Sequence, residues 1–245
     1  MAEFDTVRSV GVGARAAIDE GLRAHMNKVY GLMSVAMLVT AGVAWAVGSS
    51  EQLFALLRNP ATGSMTILGW IAMFLPLGMV FAFGAMINRL SAAAAQVFFY
   101  AFAAAMGLSL AWIFQVFTGV SIAQTFLITA IAFAGLSLYG YVTKRDLSGM
   151  GTFLMMGLIG LLVAMVVNLF LASSALAFAI SVIGVLIFAG LTAYDTQNIK
   201  NTYIAHAQAM DSEWLGKAAI MGALNLYLDF INMFMFLLQF MGNRE

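Results

Sequence analysis

ALAFAISVIGVLIFAGLTAYDTQN, residues 175–198, indicates the fold, because this segment is apolar almost throughout and long enough to cross a bilayer. Its one charged residue, Asp195, lies near its end. A second segment of the same kind, residues 218–241, carries Asp229 near its middle. An ionisable side chain among hydrocarbon is costly, so such residues indicate a functional site whose partner must be found. Each aspartate is the other's candidate partner.

The composition places the whole chain in the membrane class. Hydrophobic residues make up 63% of the 245 residues and charged residues 9%, whereas a soluble domain carries about 25% charged residues. The mean hydropathy is +0.96. Only α-helices and closed barrels satisfy their backbone polar groups in lipid, and barrel strands alternate apolar with polar residues. The apolar runs here are continuous, so we predict an all-α membrane protein.

The chain divides into a polar tail and seven apolar runs, each about as long as a spanning helix requires. The tail, residues 1–28, is predicted to be cytoplasmic and either mobile or lying on the membrane surface. Residues 29–245 are predicted to form one transmembrane domain of seven helices. The predicted spans are residues 29–48, 65–87, 93–117, 122–142, 152–171, 175–198 and 218–241.

The distribution of Lys and Arg predicts the orientation, because these residues accumulate in cytoplasmic loops. With the N-terminus in the cytoplasm and the C-terminus outside, Arg58 and Arg244 lie on the outer side. The inner side then holds the other nine of the eleven Lys and Arg residues: Arg8, Arg15, Arg23, Lys28, Arg89, Lys144, Arg145, Lys200 and Lys217.

A polar stripe marks the last predicted helix. Asn225, Asp229 and Asn232 are spaced i, i+4 and i+7, so they share one helix face. A single polar face on an apolar helix belongs inside a bundle, which predicts that the C-terminal helix is central. We assign Tyr194, beside Asp195, to the same polar surroundings. Asn225, like Asn168 and Gln115, has an alternative role as an interhelical hydrogen-bonding residue.

Two neighbouring carboxylates in a low-dielectric site do not both ionise readily, and their protons leave in coupled steps. Asp195 and Asp229 are therefore a candidate pH sensor, and when ionised they need a cation. Arg89, on the same predicted side, is one candidate, and calcium, which prefers oxygen ligands, is another. Counting along the predicted helices places Asp195 about 8 Å from Lys200 and Asp229 about 18 Å from Lys217, so they differ in nominal depth.

Several function classes are disfavoured by composition. Zero cysteines exclude thiolate metal sites, and two histidines leave little for an imidazole site. We therefore expect no cofactor. The net charge of +0 provides no basic surface for nucleic acid.

Three segments resemble the Bax-inhibitor-motif membrane proteins, over residues 29 to 241 and in the same order. They are GYVTKRDLS at residues 140–148, AYDTQ at residues 193–197 and LYLDFIN at residues 226–232. The resemblance implies seven helices with the last one enclosed, and the inner membrane for a bacterial member.

The resemblance also implies a function, a pH-sensitive calcium leak channel. In the family the aspartates matching Asp195 and Asp229 sense pH and contact calcium transiently in the pore. The arginine matching Arg89 latches the closed state. Some bacterial relatives carry a glutamate inside helix two, whereas residues 65–87 contain no acid here.

Three alternatives stay open at the sequence level. A proton/calcium exchanger uses the same residues as a leak channel. A regulator of a membrane quality-control protease would use the N-terminal tail as its contact. An intramembrane aspartyl protease also needs two aspartates, but Asp229 lacks the glycine-flanked signature of that class and no Pro-Ala-Leu motif is present. We therefore expect no enzymatic activity.

Overall fold

The computed structural model describes residues 2–206 and 211–244, with side chains described from residue 18 onward. Within these residues the secondary structure is helical apart from isolated β-bridges. The helices are α1 (Ala2–Gly48), α2 (Glu51–Phe54), α3 (Ile67–Met86), α4 (Ala92–Leu110), α5 (Ile113–Val116), α6 (Gly119–Val142), α7 (Ser148–Leu171), α8 (Ser174–His206) and α9 (Ser212–Met241).

Seven candidate spans in the described part of the chain are long and apolar enough to cross a membrane. They are Ile18–Gly48 of α1, then α3, the segment Ala92–Val116 that joins α4 to α5, α6, α7, α8 and α9. This confirms the predicted seven-helix membrane fold.

The first helix continues through the predicted boundary between the tail and the membrane domain. Residue 28 lies inside α1, which is helical from Ala2 to Gly48. Leu22 and Met26 belong to the buried core, and the ring of His25 packs against that of Tyr203 with centroids 4.8 Å apart. Apolar side chains at helical spacing among charged ones thus attach residues 18–28 to the bundle.

Polar residues in the loops begin several helices by capping them. The hydroxyls of Thr66, Ser91 and Thr118 accept hydrogen bonds from the first-turn amides of α3, α4 and α6. The Asp211 carboxylate accepts from the Trp214 amide at 2.7 Å and caps α9. Such caps satisfy backbone donors that have no partner within the helix.

The last helix, α9, is the most buried of the candidate spans. It packs against α1, α4, α6 and α8. Tyr227 illustrates the environment: its side chain is fully buried, its ring meets those of Phe99 and Phe102, and its hydroxyl lies 2.6 Å from that of Thr40. By contrast, α3 packs mainly against α4.

Candidate functional site

Both acid-bearing helices are longer than the sequence predicted. α8 continues to His206, so Asp195 lies about 16 Å of helix from that end, and α9 begins at Ser212, so Asp229 lies about 25 Å from its start. Counting from the helix ends therefore still separates the two acids in depth, and the packing of α8 against α9 brings their side chains together.

The side chains of Asp195 and Asp229 are close neighbours inside the bundle. An ionised carboxylate only accepts hydrogen bonds, so a hydrogen bond between these two groups would require a proton on one of them. Asp229 is 4% exposed, and its Oδ2 has no hydrogen-bond partner in the described part of the chain. A buried acceptor without a partner is uncommon and costly, which is typical of a functional position.

The position of Asp195 depends on a close approach of α6 to α8. Gly140 of α6 lies directly against the backbone carbonyl of Ala193, so that a Cβ at residue 140 would overlap this carbonyl. Ala193 is two residues before Asp195. Gly140 therefore fixes how near α6 comes to the acid-bearing turn of α8.

Hydroxyl groups connect three helices beside the acid pair. The hydroxyl of Tyr30 lies 2.6 Å from that of Ser137, which lies 2.9 Å from that of Thr196. Thr196 donates in turn to the Thr192 carbonyl at 2.8 Å. This chain links α1, α6 and α8 at the residue that follows Asp195.

Gln197 attaches α8 to the loop between α6 and α7. Its Oε1 accepts from the Leu147 amide at 2.8 Å, and its Nε2 donates to the Arg145 carbonyl at 2.7 Å. The side chain is buried, so both bonds lie where water competes little. Gln197 thereby holds the turn of α8 that carries Asp195 against its neighbours.

We expect Gln197→Leu to lower the free energy of unfolding by about 2 kcal/mol, because it leaves a backbone donor and acceptor without partners. Thermal unfolding in detergent measures the change. Gln239→Leu is the matched control, since Gln239 is exposed on α9 and we expect little effect. Equal stability of the two variants would contradict a structural role for Gln197.

A cavity of about 270 Å³ lies next to the acid pair, at the end of the bundle predicted to be cytoplasmic. Asn225, one of its lining residues, is one helical turn before Asp229, and Asn198, another, is one turn after Asp195. Ile87 and Asn88 of the loop after α3 form part of its wall. The cavity therefore leads from the loop that carries Arg89 to within a turn of each acid.

The remaining predicted site residues lie farther from the pair. Arg89 is exposed and forms no ion pair with Asp195 among the described residues. Asn232 donates to the Leu228 carbonyl of its own helix at 2.8 Å. The Tyr194 ring packs against Gly151 of α7. The structure thus joins Asp195 with Asp229, places Asn225 in the adjoining cavity, and leaves Arg89 apart.

The chemistry available to a metal here is that of two carboxylates and nearby amides. In the part of the chain that the structure describes, no group of three or more His, Cys, Asp and Glu residues comes together. A bound cation at the pair would therefore have few protein ligands.

The acid Asp146 lies outside the spans. Hydrogen bonds from the side chain and the backbone of Ser148 lower the pKa of Asp146, so this exposed acid stays ionised at neutral pH.

Sequence reasoning missed the hydroxyl chain and the role of Gln197. Hydroxyls are common in membrane helices and carry little cost, so Ser137 and Thr196 gave no compositional signal. Gln197 is distinguished in the sequence only as the last residue of the AYDTQ motif. Its position was one available signal: Gln197 lies two residues after the intramembrane Asp195, close to the point where this helix was predicted to leave the membrane.

These features define a multi-pass α-helical membrane protein with a buried pair of acids between its last two helices. Residues 22–245 match the family model described as inhibitor of apoptosis-promoting Bax1, and the chain belongs to this Bax inhibitor family. This confirms the family resemblance of the sequence motifs.

Relatives match along nearly their whole length. The inner membrane protein YbhL of Escherichia coli is 47% identical over 225 residues, which are 92% of this chain and 94% of the relative. An uncharacterised protein of Rickettsia prowazekii, RP147, is 46% identical over 227 residues, 93% of this chain and 92% of the relative. An uncharacterised protein of Caulobacter vibrioides is 42% identical over 236 residues, 95% of this chain and 94% of the relative.

Proposed function

We propose that this protein is a pH-sensitive calcium leak channel of the bacterial inner membrane, with Asp195 and Asp229 as its proton sensor. The observation that carries the proposal is the close approach of these two buried acids inside the bundle. Two close carboxylates in a low-dielectric site lose their protons in coupled steps, so the charge of the pair depends on pH. A site on a cation path whose charge changes with pH is suited to control the passage of cations.

Arg89 is the proposed latch of the closed state. When pH rises and the pair loses its shared proton, two negative charges lie within a turn of the cavity that borders the Arg89 loop. On its α3 side the loop has few contacts that would oppose a movement towards the acid pair, since α3 packs mainly against α4. On the other side the Glu213 carboxylate accepts from the Ala92 amide at 2.5 Å and fixes the start of α4. An ion pair between Arg89 and Asp195 then closes the cytoplasmic mouth.

Calcium fits the proposed path because it is bound by carboxylate and amide oxygens. Asp195 and Asp229 supply carboxylates, and the cavity supplies the amides of Asn198 and Asn225. A site with so few ligands holds calcium transiently, which a leak requires and a storage site does not. The ion is the transported species, and the proposal includes neither a cofactor nor an enzymatic step.

The relative named as an inner membrane protein supports this location. The excess of Lys and Arg in the tail and in alternate loops supports a cytoplasmic N-terminus and an external C-terminus.

Calcium influx into proteoliposomes that contain the purified protein tests the proposal. With equal pH inside and outside, we expect influx to increase as pH falls from alkaline values through neutrality, since proton uptake by the pair releases the latch. Influx that does not depend on pH would overturn the proposal. Influx that requires a pH difference across the membrane, and moves protons in the opposite direction, would identify an exchanger.

We expect Arg89→Gln to keep the channel open at alkaline pH, because the amide cannot form the closing ion pair. Influx at alkaline pH should rise about 5-fold or more, the effect of about 1 kcal/mol of coupling. Lys144→Gln is the control, since Lys144 is also an exposed cation on the predicted cytoplasmic side. An Arg89→Gln channel that still closes at alkaline pH would contradict the latch.

A further inference from the structure

A groove of about 500 Å³ separates α1 from α6 near the end of the bundle that is predicted to be cytoplasmic. α1 packs against α4, α8 and α9 but hardly against α6. The lining is contributed by α1 with Arg23, Met26, Asn27 and Tyr30, and by α6 with Phe133, Ala134, Ser137, Leu138 and Tyr141. Both helices are candidate membrane spans, so the groove opens sideways towards lipid.

The polarity of the groove changes along its length. Arg23 and Asn27 are exposed at one end, and no acidic residue belongs to the lining. Tyr30 lies two helical turns after Arg23, and its hydrogen bond of 2.6 Å to Ser137 joins α1 to α6 and forms the floor of the groove. Between them lie apolar side chains, including Leu138, which is 62% exposed. The groove thus has a cationic mouth and an apolar wall about 10 Å long.

We propose that this groove binds an anionic phospholipid, with the lipid phosphate at Arg23 and the first part of an acyl chain along Met26, Ala134 and Leu138. Charge complementarity identifies the occupant: a guanidinium binds phosphate oxygens through two parallel hydrogen bonds, and Asn27 adds an amide donor beside it. A basic side chain near the membrane surface also attracts anionic headgroups. The apolar wall accepts the acyl chain, which a free anion does not have.

The bound lipid would lie next to the acid-bearing turn of α8. The groove floor at Tyr30 and Ser137 continues to Thr196, which follows Asp195 in the chain. Occupation of the groove therefore supports the contact between α1 and α6, which the helices scarcely make directly. Lipid binding is expected to stabilise the fold whether or not the protein conducts calcium.

Lipid titration of the full-length protein in detergent, after removal of co-purified lipid, tests this proposal. We expect phosphatidylglycerol to raise the thermal unfolding midpoint and to stay bound in native mass spectra, and phosphatidylcholine to do so far less. Arg23→Gln should weaken phosphatidylglycerol binding about tenfold or more, as expected for loss of a charge-assisted contact. Ala134→Trp, which fills the groove from its exposed side and keeps Arg23, should weaken binding as well.

Lys144→Gln is the matched control, since Lys144 is an exposed cation just beyond α6 and is not part of the groove lining. An equal loss of binding in Lys144→Gln and Arg23→Gln would show general attraction to the surface and overturn the proposal. Unchanged binding in Arg23→Gln would overturn it too. Stabilisation by inorganic phosphate as strong as that by phosphatidylglycerol would show an ion site in place of a lipid site.

Discussion

Asp229→Asn is expected to leave a folded channel with low calcium influx at every pH near neutrality. Asparagine preserves the size of the side chain and donates an amide hydrogen bond to Asp195, but it cannot share a proton. Asp195 then stays ionised, and the proposed pairing with Arg89 keeps the mouth closed. Influx at the pH where the unmodified protein is most active should fall about 5-fold or more, from about 1 kcal/mol or more of lost coupling.

Two further variants make the Asp229→Asn result specific. Glu51→Gln removes an exposed acid of α2 at the opposite end of the bundle and should not change influx. Combining Asp229→Asn with Arg89→Gln should restore influx without restoring its dependence on pH. An Asp229→Asn channel with the normal pH response would contradict the role of the pair.

Gly140→Ala is expected to destabilise the protein more than the same substitution at the other glycines of α6, Gly119 and Gly135. The new Cβ would overlap the carbonyl of Ala193, which is backbone and cannot turn away as a side chain does. Overpacking of a core costs about 1–3 kcal/mol and occasionally more, and we expect the upper part of this range. Thermal unfolding in detergent measures the loss.

The control for Gly140→Ala is a glycine of the same helix. Gly135 is exposed, and a Cβ there would meet nothing within 4 Å. Gly135→Ala should therefore be neutral or stabilise by up to about 1 kcal/mol, through the higher helix propensity of alanine. If both substitutions changed stability by the same amount, α6 and α8 would not approach closely at Gly140.

The sequence was sufficient to predict the fold class because membrane helices leave a strong signal. Each of the seven apolar runs overlaps a candidate span of the structure. The ends were less predictable: α8 extends past residue 198 to His206, and α1 already packs against the bundle at Leu22 and Met26, ahead of residue 29. In both extensions, charged residues lie among the apolar ones. The sequence therefore no longer reads as a membrane span there, although one apolar face of the helix still packs against the bundle.

Site residues could be predicted from the sequence where their side chains are costly to bury in a membrane, and not where such side chains are common in membrane helices. Asp195 and Asp229 were found because acids are rare among apolar runs, and the structure brings them together. The stripe of Asn225, Asp229 and Asn232 assumed that one helix face has one environment. Asn225 lines a cavity while Asn232 bonds to its own backbone, because neighbouring helices change along α9.

The central claim, that Asp195 and Asp229 share the proton that controls calcium flux, is tested most directly by infrared difference spectroscopy on calcium-permeable proteoliposomes. We predict a protonated-carboxyl band that grows as pH falls, that is lost in both Asp195→Asn and Asp229→Asn, and whose midpoint coincides with that of calcium influx in the same preparation. A band that persists in either variant, or protonation that proceeds without a change in influx, would contradict the claim.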